Sequence, residues 1–267
     1  MSRFAGQTVW ITGASAGIGK GLALALASEG ARLVLSGRNR AALDEVAADC
    51  PGCFVEAFEA TELAALPAIV DRVQAATGGV DWLVNNAGIS QRSLALDTDF
   101  AVYRTLMEVD FFAPLRLTQL VLPAMVARGS GRIVNNASVA GKVGSPLRTG
   151  YCAAKHALVG WSDALRAETA QHGLKVHVLT PGFVATGIGA NALRGDGSVK
   201  GAGDDPVDAG ISIHEAAGQI LDGIAADRPE IPVGRLGAAE MQLLDLKRQD
   251  PDACFALMAQ MAPKRMV

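Results

Sequence analysis

The chain has 267 residues, 50% hydrophobic and 19% charged, with a net charge of −3, 30 glycines and 4 cysteines. That apolar share supports a buried core and excludes disorder, and a slightly acidic balance without a block of Lys or Arg argues against nucleic acid as a partner. Sparse cysteine argues against a disulfide framework and fits a reducing, cytoplasmic setting. The apolar residues are broken up, so no membrane span is expected. The start of the chain leaves no room for a signal peptide before the apolar run at Val9.

Elements alternate from the first residues. Thr8–Thr12 is a short β-branched run, and Leu22–Ala27 reads as a helix ended by a left-handed Gly30. Leu33–Leu35 forms a second strand, after which Asn39 caps a helix over Arg40–Asp49. Cys53–Val55 is a weaker strand, and Leu63–Ala76 a helix with Pro67 in its early turns. Val80–Val84 is the fourth strand, followed by one long helical segment over Asp99–Ala127. Arg132–Val134, a helix over Tyr151–His172 and Lys175–Leu179 come next. Residues 186–210 carry Gly and Asp without periodicity and read as a substrate loop or lid. His214–Ala226 is helical, Glu230–Val233 a last strand, and residues 236–267 a tail that is helical from Ala238 onward. Strands apolar throughout imply burial on both faces, hence an α/β fold with a doubly wound parallel sheet of about seven strands flanked by helices. No linker divides the chain, so residues 1–267 are expected to form a single domain.

The first strand runs into Thr12-Gly13-Ala14-Ser15-Ala16-Gly17-Ile18-Gly19. A strand, a turn without bulky side chains and a helix N-terminus together offer free N–H groups and a positive dipole end to a pyrophosphate. Gly13 permits the tight turn, Gly17 a close backbone approach, and Gly19 close helix–strand packing. The second strand ends Ser36-Gly37-Arg38-Asn39-Arg40, where a carboxylate would hold a ribose hydroxyl. Arg38 stands there instead, and its planar fork of donors suits a 2′-phosphate, favouring NADP(H) while NAD(H) remains possible.

Tyr151 and Lys155 lie four apart, on one face at the start of a helix. An ammonium near a phenol, with a cationic nicotinamide beside it, brings the phenol toward a working acid–base pKa. Ser138 lies 13 residues before Tyr151, just past strand five, where its hydroxyl can hold the same substrate oxygen. These features, with Asn85-Asn86-Ala87-Gly88 after strand four and Pro181-Gly182 after strand six, resemble the short-chain dehydrogenase/reductase family in its single-domain branch. Segments 141–146 and 191–198 are similar to its hydroxysteroid-dehydrogenase-like subgroup.

The resemblance implies a Rossmann-type fold and hydride transfer between NADP(H) and a small-molecule ketone, aldehyde or alcohol, with the subgroup leaning toward a bulky, apolar one. Tyr151 would be the acid–base, Lys155 would hold the nicotinamide ribose and lower the Tyr pKa, and Ser138 would orient the substrate oxygen. Gly13, Ser15, Ala16, Gly17, Ile18 and Gly19 would cradle the cofactor, Asn86, Ala87 and Gly88 would support its adenosine side, and Pro181, Gly182 and Thr186 would line its amide. A homodimer or homotetramer is implied. The rival from another class is a catalytically weak NADP(H)-binding sensor, which would have no use for Ser138, Tyr151 and Lys155 together.

Two positions depart from the family pattern. Asp110 stands where an Asn commonly anchors a proton-relay water, so it joins the expected catalytic set as a modified relay or as a silent isostere. Glu59 stands where an Asp often meets the adenine. Cys50-Pro51-Gly52-Cys53 is read as two thiols in a turn, and no metal site is expected. Met258, Met261 and Met266 are read as part of an amphipathic tail helix, with cover over a pocket the less favoured account.

Overall fold

The computed structural model describes residues 2–263, so Met266 lies outside the described residues. The strands are β1 (Thr8–Thr12), β2 (Arg32–Gly37), β3 (Phe54–Ala57), β4 (Trp82–Asn85), β5 (Gly131–Asn136), β6 (Leu174–Pro181) and β7 (Glu230–Val233). They form one sheet in the order β3-β2-β1-β4-β5-β6-β7, and every pairing is parallel. The helices are α1 (Gly17–Ser28), α2 (Arg40–Ala47), α3 (Leu66–Thr77), α4 (Phe100–Met107), α5 (Ala113–Arg128), α6 (Thr149–Thr169), α7 (Ile213–Ala225), α8 (Ala239–Gln249) and α9 (Pro251–Met261).

Successive strand residues point to opposite faces, and here both faces are apolar. Val9, Ile11, Leu33, Leu35 and Val84 pack against Leu22 and Leu26 of α1, Leu43 of α2 and Ile220 of α7. Trp10, Val34, Leu83 and Ile133 face the other way, onto Ile69 and Val73 of α3, Leu117 and Val121 of α5 and Leu165 of α6. This two-sided burial is why the strands read as continuous apolar runs. Local chemistry sets the ends: Asn39 caps α2 by accepting from the Ala42 N–H at 3.1 Å, and Gly30, with φ +77°, turns the chain after α1. The chain winds from β1 outward to β3 and returns to β4, so a crevice opens where β1 and β4 diverge at their carboxyl ends.

Three expectations change. The long helix over Asp99–Ala127 is not continuous α-helix, because Glu108–Phe112 forms a π turn between α4 and α5. By length and composition alone, Phe100–Arg128 could also cross a membrane, contrary to the composition reading. In the fold that run packs Leu117, Val121 and Met125 beneath the sheet. Residues 186–210, read as a loop or lid without elements, carry isolated bridges and the short turn Pro206–Ala209. Leu193 bridges both Gln91 and Val199, and Asp205 binds Arg92 through two hydrogen bonds of 3.0 and 3.1 Å. Finally, the tail is two helices, and it is not a plain amphipathic appendage: Leu243 of α8 and Leu257, Met258 and Met261 of α9 cover a cavity.

Candidate active site

At the β1–α1 turn, Gly13 and Gly17 have φ of +65° and +54°, left-handed values that suit glycine. A Cβ at Gly13 would lie 2.9 Å from the Ala87 backbone, and one at Gly17 would lie 3.0 Å from the Thr186 side chain. Ala16, the residue before α1, offers no side-chain cap, so the first N–H groups of Gly17, Ile18 and Gly19 are left for a ligand. A cradle that even a methyl group would fill, facing an uncapped helix end, fits a dinucleotide pyrophosphate. Ser15 lies beside Gly37, the residue before Arg38.

The turn is held by groups the sequence left unassigned. Thr12 Oγ1 accepts from the N–H groups of Asn86 (3.0 Å) and Ala87 (3.1 Å). Asn86 Nδ2 donates to the Thr12 carbonyl at 2.9 Å, and Asn136 Nδ2 donates to Asn86 Oδ1 at 2.8 Å. Asn86 therefore braces the glycine turn, and Gly88 is pressed between Asp110 and Lys155. Arg38 is 75% exposed and lies 3.7 Å from Glu59. Glu59 also accepts from the Thr61 N–H and hydroxyl, so it orders its own loop beside the arginine.

Past β5, Ser138 is extended (φ −177°) and begins a short turn, its Oγ accepting from the Ala140 N–H at 3.1 Å. Tyr151 and Lys155 project from the first turns of α6, with Lys155 Nζ 5.7 Å from the Tyr151 ring centre. Lys155 Nζ donates to the Asn136 carbonyl at 2.9 Å and lies 3.6 Å from Asp110 Oδ1. Asp110 is fully buried, reaches inward from the π turn, and accepts from the Ile89 N–H at 3.0 Å. Desolvation pushes its carboxyl up to about 6, against the pull of Lys155. Asp110 lies behind Lys155, and neither residue is among those lining the cavity, so Asp110 acts on the site through Lys155.

Opposing influences act on Tyr151. Burial raises its phenol above the ordinary value, and Asp110 adds to that rise. Lys155, a hydrogen bond from Ser138 and the nearby Arg148 act in the opposite direction without prevailing. Lys155 thus pulls the phenol in the direction read from the sequence, while burial opposes it.

Ser138 and Tyr151 open into a cavity of about 330 Å³ with Ile18, Pro181, Gly182 and Thr186, so the glycine turn and the tyrosine share one space. Its far wall includes Val139, Val143, Leu243 and Met258, and also Arg92 and Arg148, which the sequence reading did not single out. Arg148 sits at the very start of α6, a position with no motif to mark it. Beneath the site, Asn85 Nδ2 donates to Thr118 (2.9 Å) and Asn135 (2.8 Å), and Asn135 donates to Ser162 (2.8 Å). This buried chain ties α5, β4, β5 and α6 together. Cys50 and Cys53 are free thiols, and burial raises Cys50 to about 11, the behaviour of unreactive turn cysteines.

The family model for short chain dehydrogenases matches residues 7–196. The chain belongs to the short-chain dehydrogenase/reductase family. A zebrafish (Danio rerio) relative, dehydrogenase/reductase SDR family member 7B, is 37% identical over 97% of this chain and 86% of its own length. A metagenomic short-chain oxidoreductase solved with NADP is 30% identical at a TM-score of 0.71, covering 87% of this chain and 98% of that one. A Burkholderia phymatum short chain dehydrogenase/reductase solved with NAD shares the fold at a TM-score of 0.81 and 24% identity, covering 100% and 99% of the two chains. The protein is thus an oxidoreductase of this family with an NAD(P)-binding Rossmann fold.

Proposed function

We propose that this chain interconverts an apolar ketone or aldehyde and the corresponding alcohol, with NADP(H) as the preferred partner and Ser138, Tyr151 and Lys155 as the catalytic set. The observation that carries the reading is the convergence of Ser138 and Tyr151 on one largely apolar cavity that also touches the α1 glycine turn through Ile18 and Thr186.

The residues around Gly13–Gly19 would hold the pyrophosphate, Asn86–Gly88 the adenosine side, Arg38 a 2′-phosphate, and Pro181, Gly182 and Thr186 the nicotinamide end. When bound, the nicotinamide supplies or accepts the hydride. Tyr151 gives a proton to the carbonyl oxygen, and Ser138 donates a hydrogen bond that holds that oxygen in place. Lys155, oriented by the Asn136 carbonyl and Asp110, stabilises the tyrosinate left behind. Valines, leucines and methionines of the cavity wall exclude water and strengthen these interactions. In the direction of alcohol oxidation, where Tyr151 acts as base, the cationic ring of the oxidised cofactor would add to the pull of Lys155 on the phenol.

We further propose a homodimer or homotetramer in a reducing, cytoplasmic compartment, which the four free thiols support.

Reduction of a ketone panel, followed at the reduced-cofactor absorbance with both cofactors, tests the reading. Tyr151→Phe is expected to lower kcat by about 10²–10⁴-fold, the contribution of a positioned acid, while leaving NADPH binding intact. Near-parental turnover in that variant would refute the role of Tyr151.

A further inference from the structure

The cavity wall carries a charge that the proposed chemistry does not use. Arg148 precedes Tyr151 by three residues, at the N-cap of α6, and its guanidinium lines the same cavity as Ser138 and Tyr151. Among the described residues it makes no ion pair and no side-chain hydrogen bond, although its side chain is largely removed from water. Burial and the nearby cation Arg92 act to lower its pKa, and Tyr151 and Asp205 act to raise it without prevailing.

The charges around it do not balance. Arg92 is 12% exposed and its partner Asp205 only 2%, with a closest approach of 2.9 Å. Lys200 lies 3.6 Å from the same carboxylate. Arg92 and Lys200 therefore share one carboxylate, Asp205, which is committed to Arg92 and the Val207 N–H and makes no ion pair with Arg148. Glu240, the carboxylate that lines the cavity among the described residues, accepts from the Phe183 N–H (3.4 Å), beside Gly182. An unpaired guanidinium in a mostly apolar wall is costly unless an anion arrives to neutralise it.

The backbone before Arg148 is itself held in an unusual state. Leu147 has φ +64°, a left-handed value that costs a branched side chain free energy, and its carbonyl accepts from the Ser93 N–H at 3.1 Å. This turn starts α6 with Arg148 directed into the cavity. The strained turn thus sets an arginine without an ion pair three residues before Tyr151, at the wall of the same cavity.

We propose that the substrate is a ketone or alcohol with an apolar body and an oxyanion, carboxylate or phosphate, that binds Arg148 while its carbonyl meets Tyr151 and Ser138. The inference rests on the reading of this cavity as the carbonyl site. Arg148 also adds positive charge near the Tyr151 phenol, so anchoring the substrate and favouring the tyrosinate are linked.

The test compares benzoylformate, benzoylpropanoate and benzoylbutanoate with their methyl esters, in turnover and in quenching of bound reduced-cofactor fluorescence. At least one acid is expected to exceed its ester in kcat/KM by about tenfold to a hundredfold, the range of a charge-assisted hydrogen bond. That preference should fall to near unity in Arg148→Gln, chiefly through KM, and be partly retained in Arg148→Lys. Equal use of acids and esters by the parent and by both variants would overturn the inference and leave the reductase reading standing. Binding of an acid that depends on Arg148, with no ketone turned over, would keep the anion site and break the reductase reading instead. Competition by inorganic phosphate or acetate at equal ionic strength separates the sources: the stronger competitor identifies a phosphoryl group or a carboxylate. Absence of competition by either would count against an oxyanion site.

Discussion

The β1–α1 turn and the cavity at the start of α6 meet at Ile18 and Thr186, yet they are built by different means. At the turn, recognition comes from main-chain N–H groups, and the key feature is what the glycines lack. At the cavity, recognition comes from side chains gathered from β5, α6, the loop after β6 and the two tail helices. A backbone site is written in a contiguous stretch, because a turn and a helix end are local structures. A side-chain site is assembled by topology, and its members carry no shared spacing. The same contrast separates their charges: Arg38 is exposed to solvent, whereas Arg148 is withdrawn from it.

Substitutions can break this contrast in graded steps. The largest effect is expected from Gly13→Val. Its side chain meets the Ala87 backbone in a left-handed conformation, and strain of about 1–3 kcal/mol falls on the turn itself. Cofactor affinity, measured by fluorescence titration, should fall by at least about tenfold, whereas tolerance of Val would mean the turn does not approach its ligand closely. An intermediate effect is expected from Arg38→Asp, which should reduce the preference for NADPH over NADH by about tenfold, less at high salt because the site is exposed. An unchanged ratio would remove Arg38 from 2′-phosphate recognition.

The smallest effect sharpens the cavity side. Asp110 has its carboxyl raised from 3.8 to about 6. The folded state therefore holds its proton where the unfolded state has released it, so this group's contribution to stability declines as pH rises from about 4 to about 6. Asp110→Asn removes that dependence. The variant's melting temperature should gain on the parent as pH rises from about 5 to about 7, and any limb of kcat/KM near pH 6 should flatten, with only a few-fold change in maximal rate. A limb that persists near pH 6 in the Asn variant would assign it to another group.

Much of the architecture was legible in the chain. The alternation of apolar runs and helices anticipated a doubly wound parallel sheet, because two-sided burial leaves no polar phase along a strand. Gly13 to Gly19 and the Tyr151–Lys155 pair were legible for a similar reason, since each lies within one or two turns of chain. Boundaries moved by a few residues at β3 and β4. One helix became two around a π turn, which nothing in the apolar pattern of Glu108–Phe112 announces.

Tertiary structure alone decided the rest. Only the fold brings Asp110 from the π turn to within 3.6 Å of Lys155, and Glu59 from the β3 end to Arg38. Only the fold lays Met258 and Met261 over the cavity and sets Arg148 there without an ion pair among the described residues. The physical reason is one of range. Hydrogen-bonded turns and helix faces are fixed by neighbours in sequence, so composition and spacing determine the glycine turn and the shared helix face of Tyr151 and Lys155. Burial, charge balance and the pull on a phenol depend on what arrives from elsewhere in the chain, so the energetics of Tyr151 and the identity of the anion-binding wall belong to the folded molecule.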